Sequence, residues 1–383
     1  MKAMILSVAT GGGHGRAADA IKESILHNEP GSEVIIIDTI KYISPFLDKL
    51  VVGTYLQSLK HYPSFFKYLY EHSDEDGKFV KPAAFGNDFI TKQLHPTVKE
   101  FDPDIIISTH PFTAQMLSIL RAKFGWQKAS LVVMTDYGSH AFWVHHHVDA
   151  YVVSNEDMVD ELIQRGRNKE MIFPYGIPIS SNFENFEPNE KTFEKYKLDP
   201  STKVVTVMGG SLGLGNIIEI VQELINLPLN LQVLVLTGSN EKLFNEITEM
   251  AQLSHQKISP LEYCDDIYNI LSITDLLITK PGGLTMTESF ITGTPLAIYS
   301  AIPGQEVQNA DYLLRHNLAI DLNTGEHCGL LLESILSDDQ ALEKMKLNSK
   351  AHAKPEAADK IYGLCKRLIY ERNGEYLGEL VEF

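Results

Sequence analysis

The chain has 383 residues, long for one ordinary domain and suited to two, and its 44% hydrophobic content supports sizeable cores. A formal net charge of −17 excludes nonspecific nucleic-acid binding, so no nucleic-acid partner is expected. Three scattered cysteines, Cys264, Cys328 and Cys365, make no disulfide framework and fit a reducing, cytoplasmic setting.

Short β-branched runs alternate with longer amphipathic stretches, which predicts βαβ units and parallel sheets, an α/β fold. The apolar start reads as a first strand, Ala3–Val8, because it runs into glycines too soon for a signal peptide. The loop Thr10-Gly-Gly-Gly-His-Gly-Arg16 follows. It lacks the third glycine of a dinucleotide fingerprint and the lysine of a P-loop. Its glycines, Gly13 among them, allow close approach of the backbone to a ligand. They also place His14 at the mouth of a helix beginning near Arg16. A histidine there can serve as a general base, kept neutral by the positive helix end, or can merely hydrogen-bond locally.

After a strand at Val34–Asp38, residues 42–70 interleave aromatics with Lys49, Lys60 and Lys67. Leu47, Val51, Tyr55 and Leu59 recur every four residues, one stripe of a helix. Such a helix suits an anionic membrane surface, or packs on the sheet as an ordinary amphipathic helix. No apolar run reaches about 18 residues, so no membrane-spanning helix is predicted.

Strands follow at Ile105–Ser108, Leu131–Thr135 and Ala150–Val153. Asp136 stands at the carboxyl end of the second of these, where ligands bind in open α/β sheets, although a capping role is equally open. His140, Trp143 and His145 come next. His145-His146-His147 invites a metal reading. Sequence neighbours point apart, however, and no cysteine pair accompanies them, so no metal site is expected. The pattern then breaks into a polar stretch from Ile177 to Lys197. It divides residues 1–177 from a second domain, 178–345, and a helical tail, 346–383.

The second half carries strands at Val204–Met208, Gln232–Thr237, Leu276–Thr279 and Leu296–Tyr299. The first leads into Gly209-Gly-Ser-Leu-Gly-Leu-Gly215, where Gly210, Ser211 and neighbouring N–H groups can hold a phosphate or sugar, or simply turn the chain. The third leads into Lys280-Pro-Gly-Gly-Leu-Thr-Met-Thr-Glu288. A Pro281-Gly282-Gly283 turn opening a helix leaves backbone N–H groups, around Gly282, Gly283 and Thr285, ready to bind phosphate. Glu288, one turn on, is a poor phosphate ligand but a good acceptor for ribose hydroxyls.

These segments, with Gly304-Gln-Glu-Val-Gln-Asn-Ala310 and the Thr135-Asp-x₃-His-x₂-Trp-Val-His-x₂-Val-Asp149 run, resemble the UDP-sugar lipid glycosyltransferases: processive diacylglycerol glucosyltransferases and monogalactosyldiacylglycerol synthases of glycosyltransferase family 28. The resemblance spans roughly residues 3–312. It implies a GT-B fold, two doubly wound Rossmann-like domains facing a central cleft. The acceptor would sit on the first domain and the donor on the second, with the tail crossing back to the first. It further implies inverting transfer of glucose or galactose from UDP-glucose or UDP-galactose to diacylglycerol, on the inner face of the cell membrane. His14 would be the base, and Asp136 would orient it or contact the acceptor. Gln305 and Glu306 would hold the hexose hydroxyls, with Asn309 in support. The chemistry calls for no cofactor and no obligatory metal, because oriented N–H groups can neutralise the leaving diphosphate. Two alternatives stay open. One is an enzyme of the same fold with another acceptor or reaction, such as a peptidoglycan lipid-intermediate transferase or a UDP-sugar epimerase. The other is a UDP-sugar sensor without catalysis.

Overall fold

The computed structural model describes residues 1–8, 12–43, 80–183, 190–301 and 304–374. The aromatic and basic stretch 42–70 lies outside these residues beyond Ile43, as do Thr10 and Gly11 of the first glycine-rich loop.

Two compact units divide the chain. The first comprises 1–181, 303–305 and 354–383, and the second 182–302 and 306–353. Each is built on one six-stranded sheet in which every pairing is parallel.

In the first unit the strands are β1 (Lys2–Ser7), β2 (Glu33–Asp38), β3 (Ile105–Ser108), β4 (Ala129–Val133), β5 (Ala150–Val152) and β6 (Ile172–Phe173), in the order β2-β1-β3-β4-β5-β6. Ile5 of β1 pairs with Ile36 on one side and Ile107 on the other. The two-residue period of β1 sends Ala3 and Ile5 to one face of the sheet, Met4 and Leu6 to the other. The first face meets Ala18, Ile21 and Ile25 of the helix Gly13–Asn28, and Ile361, Leu364, Cys365 and Leu368 of the helix Ala357–Asn373. The second meets Leu94 and Val98, Leu117 and Leu120, and Met158 and Leu162 from three other helices. A sheet covered on both faces explains why its strands read as nearly unbroken apolar runs.

The second unit holds β7 (Val204–Met208), β8 (Gln232–Gly238), β9 (Lys257–Glu262), β10 (Leu276–Thr279), β11 (Leu296–Ile298) and β12 (Ala319–Asp321), in the order β12-β11-β10-β7-β8-β9. Its core gathers Val205 and Val207, Val233 and Val235, and Leu276 and Ile278 against Ile217, Ile220, Val221 and Leu224 of the helix Ile217–Ile225. Burying one such side chain stabilises the fold by about 1.5–3 kcal/mol.

Some boundaries differ from the sequence reading. β6, β9 and β12 were not predicted: the first has two residues, the second carries Pro260 among polar neighbours, and the third is a half-exposed edge. β4 ends at Val133, which leaves Thr135 and Asp136 beyond the strand. The first helix begins at Gly13 instead of Arg16, because Gly12 caps it at a φ of 80° that only glycine adopts cheaply. The single predicted tail helix is two, Asp339–Ala351 and Ala357–Asn373, parted around Pro355.

The last helix is tied to the first sheet by charge as well as packing. The Asp149 carboxylate takes two hydrogen bonds of 2.7 Å from the Arg121 guanidinium, two of 2.8 Å from the Ser130 N–H and hydroxyl, and one from Arg372. Burial alone would raise its pKa, but these donors prevail and hold it at about 2. We expect Asp149→Ala to cost about 3 kcal/mol or more, because it strands the buried Arg121 charge; denaturant unfolding reads this directly. The native carboxylate contributes stability above the unfolded pKa near 3.9 and loses it as pH falls toward about 2. The mutational cost should therefore shrink over that window.

Candidate active site

Strand order reverses between β1 and β3 in the first unit and between β7 and β10 in the second. Helices leaving adjacent strands on opposite sides at such a switch point open a crevice beyond the carboxyl ends. The residues singled out in the sequence collect at these two places.

In the first unit, β1 leads to Gly12, Gly13 and His14, β3 to Thr109 and His110, and β4 to Thr135 and Asp136. His14 lies in the first turn of its helix and is half-buried. Nδ1 stands 3.0 Å from the Thr109 carbonyl oxygen and 2.7 Å from the Thr135 hydroxyl. A carbonyl oxygen only accepts, so Nδ1 carries the hydrogen and Nε2 is the unprotonated nitrogen. Burial holds the His14 pKa down to about 4, against the opposing pull of the Thr109 hydrogen bond. The helix N-terminus acts in the same direction as burial. The imidazole is therefore neutral at physiological pH.

His110 packs edge-on to His14, with ring centroids 4.5 Å apart. It caps the helix Pro111–Phe124, its Nδ1 accepting the Phe112 N–H at 3.2 Å. Burial, then the neighbouring His14, hold its pKa well below the usual value. Trp143 is fully buried, its ring 6.4 Å from that of His14 and its indole N–H donating to Asp136 Oδ2 at 3.2 Å. Asp136 is thus buried beyond the end of β4, held by the Trp143 indole. Asp136 was expected to orient His14 or to contact the acceptor; the hydrogen bonds of His14 Nδ1 go to Thr109 and Thr135.

The His145-His146-His147 run does separate work. His145 Nε2 donates to the Phe142 carbonyl at 2.9 Å, and its backbone brackets the Tyr151 hydroxyl. His146 and His147 are exposed, and Arg167 donates to His146 Nδ1 at 3.3 Å. Among the described residues, no group of three or more His, Cys, Asp or Glu side chains could hold a metal.

In the second unit, β10 ends at Thr279, and Lys280-Pro281-Gly282 turn into the helix Gly283–Thr292. Gly282 caps that helix without a side-chain hydrogen bond. The turn is held from below: the buried Asn309 donates from Nδ2 to the Pro281 carbonyl at 3.0 Å. Asn309 belongs to the helix Gln305–Arg315, whose first turn supplies Gln305 and Glu306. Glu306 Oε1 pairs with Lys280 Nζ at 3.4 Å, both side chains largely buried. The two helix N-termini are thereby stapled together at two points. Glu288 is buried within its helix, and Thr285 is half-buried near its start.

The β7 loop lies beside this turn, since β7 and β10 are paired. Gly213, at φ 55°, leaves no room for a side chain: a Cβ there would lie 2.2 Å from the Thr237 carbonyl oxygen. Ser239 N–H donates to the Ser211 carbonyl at 3.0 Å, which pins the loop to the end of β8. Gly210 faces open space. Tyr299 donates to the Met208 carbonyl at 3.1 Å; burial, then the Glu306 charge, push its phenol pKa up.

Thr109, His110, Lys280 and Tyr299 were not among the expected site residues, and Thr135 was read as a strand end and as the start of the Thr135–Asp149 run, with no role of its own. The available signal was polar residues just beyond the buried runs Ile105-Ile-Ile, Leu131-Val-Val-Met and Leu276-Leu-Ile.

Residues 14–179 match the family model for monogalactosyldiacylglycerol (MGDG) synthase, and residues 204–362 the glycosyltransferase family 28 C-terminal domain. A processive diacylglycerol beta-glucosyltransferase of Bacillus subtilis is 31% identical over 353 residues, covering 91% of this chain and 90% of that one. Among solved structures, Acinetobacter baumannii MurG superposes with a TM-score of 0.61 at 15% identity over 96% of this chain and 99% of its own. A UDP co-structure of S. aureus MnaA gives 0.65 at 16%, over 100% and 99%. At those identities the likeness establishes the fold, which is GT-B. Fold, paired domain matches and a relative aligned along nearly the whole length together place this chain in the family of the diacylglycerol glycosyltransferases, within glycosyltransferase family 28.

Proposed function

We propose that the protein transfers a hexose, glucose in the first instance, from a UDP-sugar to the hydroxyl of diacylglycerol, with inversion in a single displacement. The observation that carries this reading is the neutral His14 at the switch point of the first sheet, its Nδ1 committed to the Thr109 carbonyl and its Nε2 unprotonated. Named relatives support the acceptor and favour glucose as the sugar.

His14 Nε2 takes the proton of the acceptor hydroxyl as its oxygen attacks the anomeric carbon. The bond from that carbon to the diphosphate breaks, and its electron pair leaves with UDP. The departing charge meets the N–H groups of Gly283 and Thr285 and the positive end of the helix Gly283–Thr292, with the Lys280 ammonium beside them; the Gly282 N–H, expected to join them, donates instead to the Lys280 carbonyl at 2.8 Å and shapes the turn. Gly13, Gly210 and Ser211 let ligand approach the loops. Glu288 accepts from ribose hydroxyls, Gln305 and Glu306 read the hexose, and Asn309 fixes the Pro281 turn beneath them. Asp136, held by Trp143, lines the acceptor side. Residues 1–177 would take the lipid and 178–345 the nucleotide sugar; of the tail 346–383, residues 354–383 belong to the first unit. Work on a lipid substrate calls for residence at a membrane surface, and the stretch 42–70 is the proposed contact. No described helix is long and apolar enough to cross a membrane.

Three outcomes test this reading. Incubating the protein with UDP-glucose or UDP-galactose and diacylglycerol vesicles should give a glycosyl-diacylglycerol, preferentially from UDP-glucose, and a chelator should leave the rate unchanged. UDP release without a lipid product would redirect the search to another acceptor. His14→Ala should retain UDP binding by calorimetry while transfer falls by roughly 10²–10⁴-fold; undiminished transfer would remove His14 as the base. Finally, kcat/KM reports the free enzyme's base, so its acid limb should lie near pH 4 and not near 6.5. Stability behaves differently: the unfolded histidine takes up a proton below about 6.5 and the folded one does not, so stability declines as pH falls from 6.5 toward 4. An acid limb centred near 6.5 would mean that His14 titrates as an ordinary histidine.

A further inference from the structure

We infer that Thr135 is a positioning residue for the reaction: its hydroxyl, with the Thr109 carbonyl, locks His14 in the one tautomer that leaves Nε2 able to accept a proton. The inference rests on His14 being the base.

The Thr135 hydroxyl lies 2.7 Å from His14 Nδ1 and 3.5 Å from the Thr109 carbonyl oxygen, which is itself 3.0 Å from the same Nδ1. The three atoms form a closed triangle with two hydrogens to place. The carbonyl accepts only, so the consistent arrangement has Nδ1–H donating toward both oxygens while the Thr135 O–H donates to the carbonyl. In the opposite tautomer the Thr135 O–H would have to turn from the carbonyl to Nδ1, and the nitrogen lone pair would still face the carbonyl oxygen at 3.0 Å with no hydrogen between them. That repulsion disfavours the form in which Nε2 carries the hydrogen and cannot act as base.

Each corner of the triangle is fixed independently. The Thr109 hydroxyl donates to Ser7 Oγ at 3.0 Å and is 3.1 Å from the His14 carbonyl, which straps it to β1 and to the first turn of the helix. Thr109 N–H donates to the Leu6 carbonyl at 3.1 Å. Thr135 follows Met134, whose N–H donates to the Val152 carbonyl at 2.9 Å, and both residues are buried. The His110 ring, edge-on at 4.5 Å, closes one side of the imidazole.

A neutral hydroxyl in this place has a chemical consequence. In a Ser-His-Asp arrangement a carboxylate both sets the tautomer and stabilises the imidazolium. Here the described partners of Nδ1 set the tautomer but bring no full negative charge. The imidazolium formed when the acceptor O–H breaks is therefore more acidic than an ordinary one, and it returns its proton to water readily once UDP has left. The orienter speeds the chemical step without storing the proton.

The test compares Thr135→Val, which keeps the shape and removes the hydroxyl, with Thr135→Ser, which restores it, and with His14→Ala. Transfer is followed with UDP-glucose and diacylglycerol vesicles for kcat and KM. The His14 tautomer is read from the imidazole nitrogen shifts of the free, full-length protein by NMR. We expect Thr135→Val to lower kcat roughly tenfold, about the worth of one net hydrogen bond. KM for UDP-glucose should stay put, Thr135→Ser should recover the rate, and the valine variant, left with the Thr109 carbonyl as the partner of Nδ1, should show a shifted Nδ1–H signal. Should Thr135→Val fold poorly, Thr135→Ala is scored by the same readouts. Wild-type kcat in the valine or alanine variant, or an unchanged His14 spectrum, would overturn the assignment. Normal transfer by His14→Ala would instead bring down the general-base reading. The NMR readout needs no turnover, so the two failures are distinguishable.

Discussion

Parallel strands cannot be joined by tight turns, so every return in this chain runs through a crossover. That constraint sets where chemistry can sit. All loops that follow strands gather on one edge of each sheet, and only where the strand order reverses do two of them part. In the first unit the parting lies between β1 and β3, and it brings His14 beside Thr109 and His110. In the second it lies between β7 and β10, and it sets the Gly209–Gly215 loop next to the Lys280-Pro281-Gly282 turn. The buried faces of both sheets serve these two edges, holding them stiff enough for hydrogen bonds of 2.7–3.0 Å to decide a tautomer.

Charge is handled differently at the two switch points. Around His14 the protein withholds it: burial and the helix end favour the uncharged ring and outweigh the opposing pull of the Thr109 carbonyl. Around the Pro281 turn the protein assembles it, with a helix N-terminus and a lysine already paired to Glu306. A group that must remove a proton is best left neutral until it does so. A group that must receive a dianionic leaving group is best preorganised with its donors in place.

The final helix shows how far apart in sequence the parts of one core can lie. Ile361, Leu364, Cys365 and Leu368 complete a face begun by Ala3 and Ile5. Arg372 adds a donor to an Asp149 already committed to Arg121 and Ser130. Nothing local in 357–373 discloses that destination, because an amphipathic helix specifies that it will bury a stripe and not against what.

The sequence by itself determined the α/β class, nine of the strands to within a residue or two, and both glycine-bearing loops, because those depend on local periodicity and on backbone freedom at glycine. It also singled out His14 and Asp136, and placed Pro281, Gly282 and Gly283 at a helix start. It could not reach the relation between them. That Thr109 and Thr135, and not Asp136, meet His14 Nδ1 depends on the packing of β1, β3 and β4 side by side, a contact across more than ninety residues of chain. That Glu306 meets Lys280, and Asn309 the Pro281 carbonyl, depends likewise on two helices converging at their N-termini. Strand order and helix placement are set by how whole faces pack, a property no window of sequence contains, and the tertiary structure alone decided them.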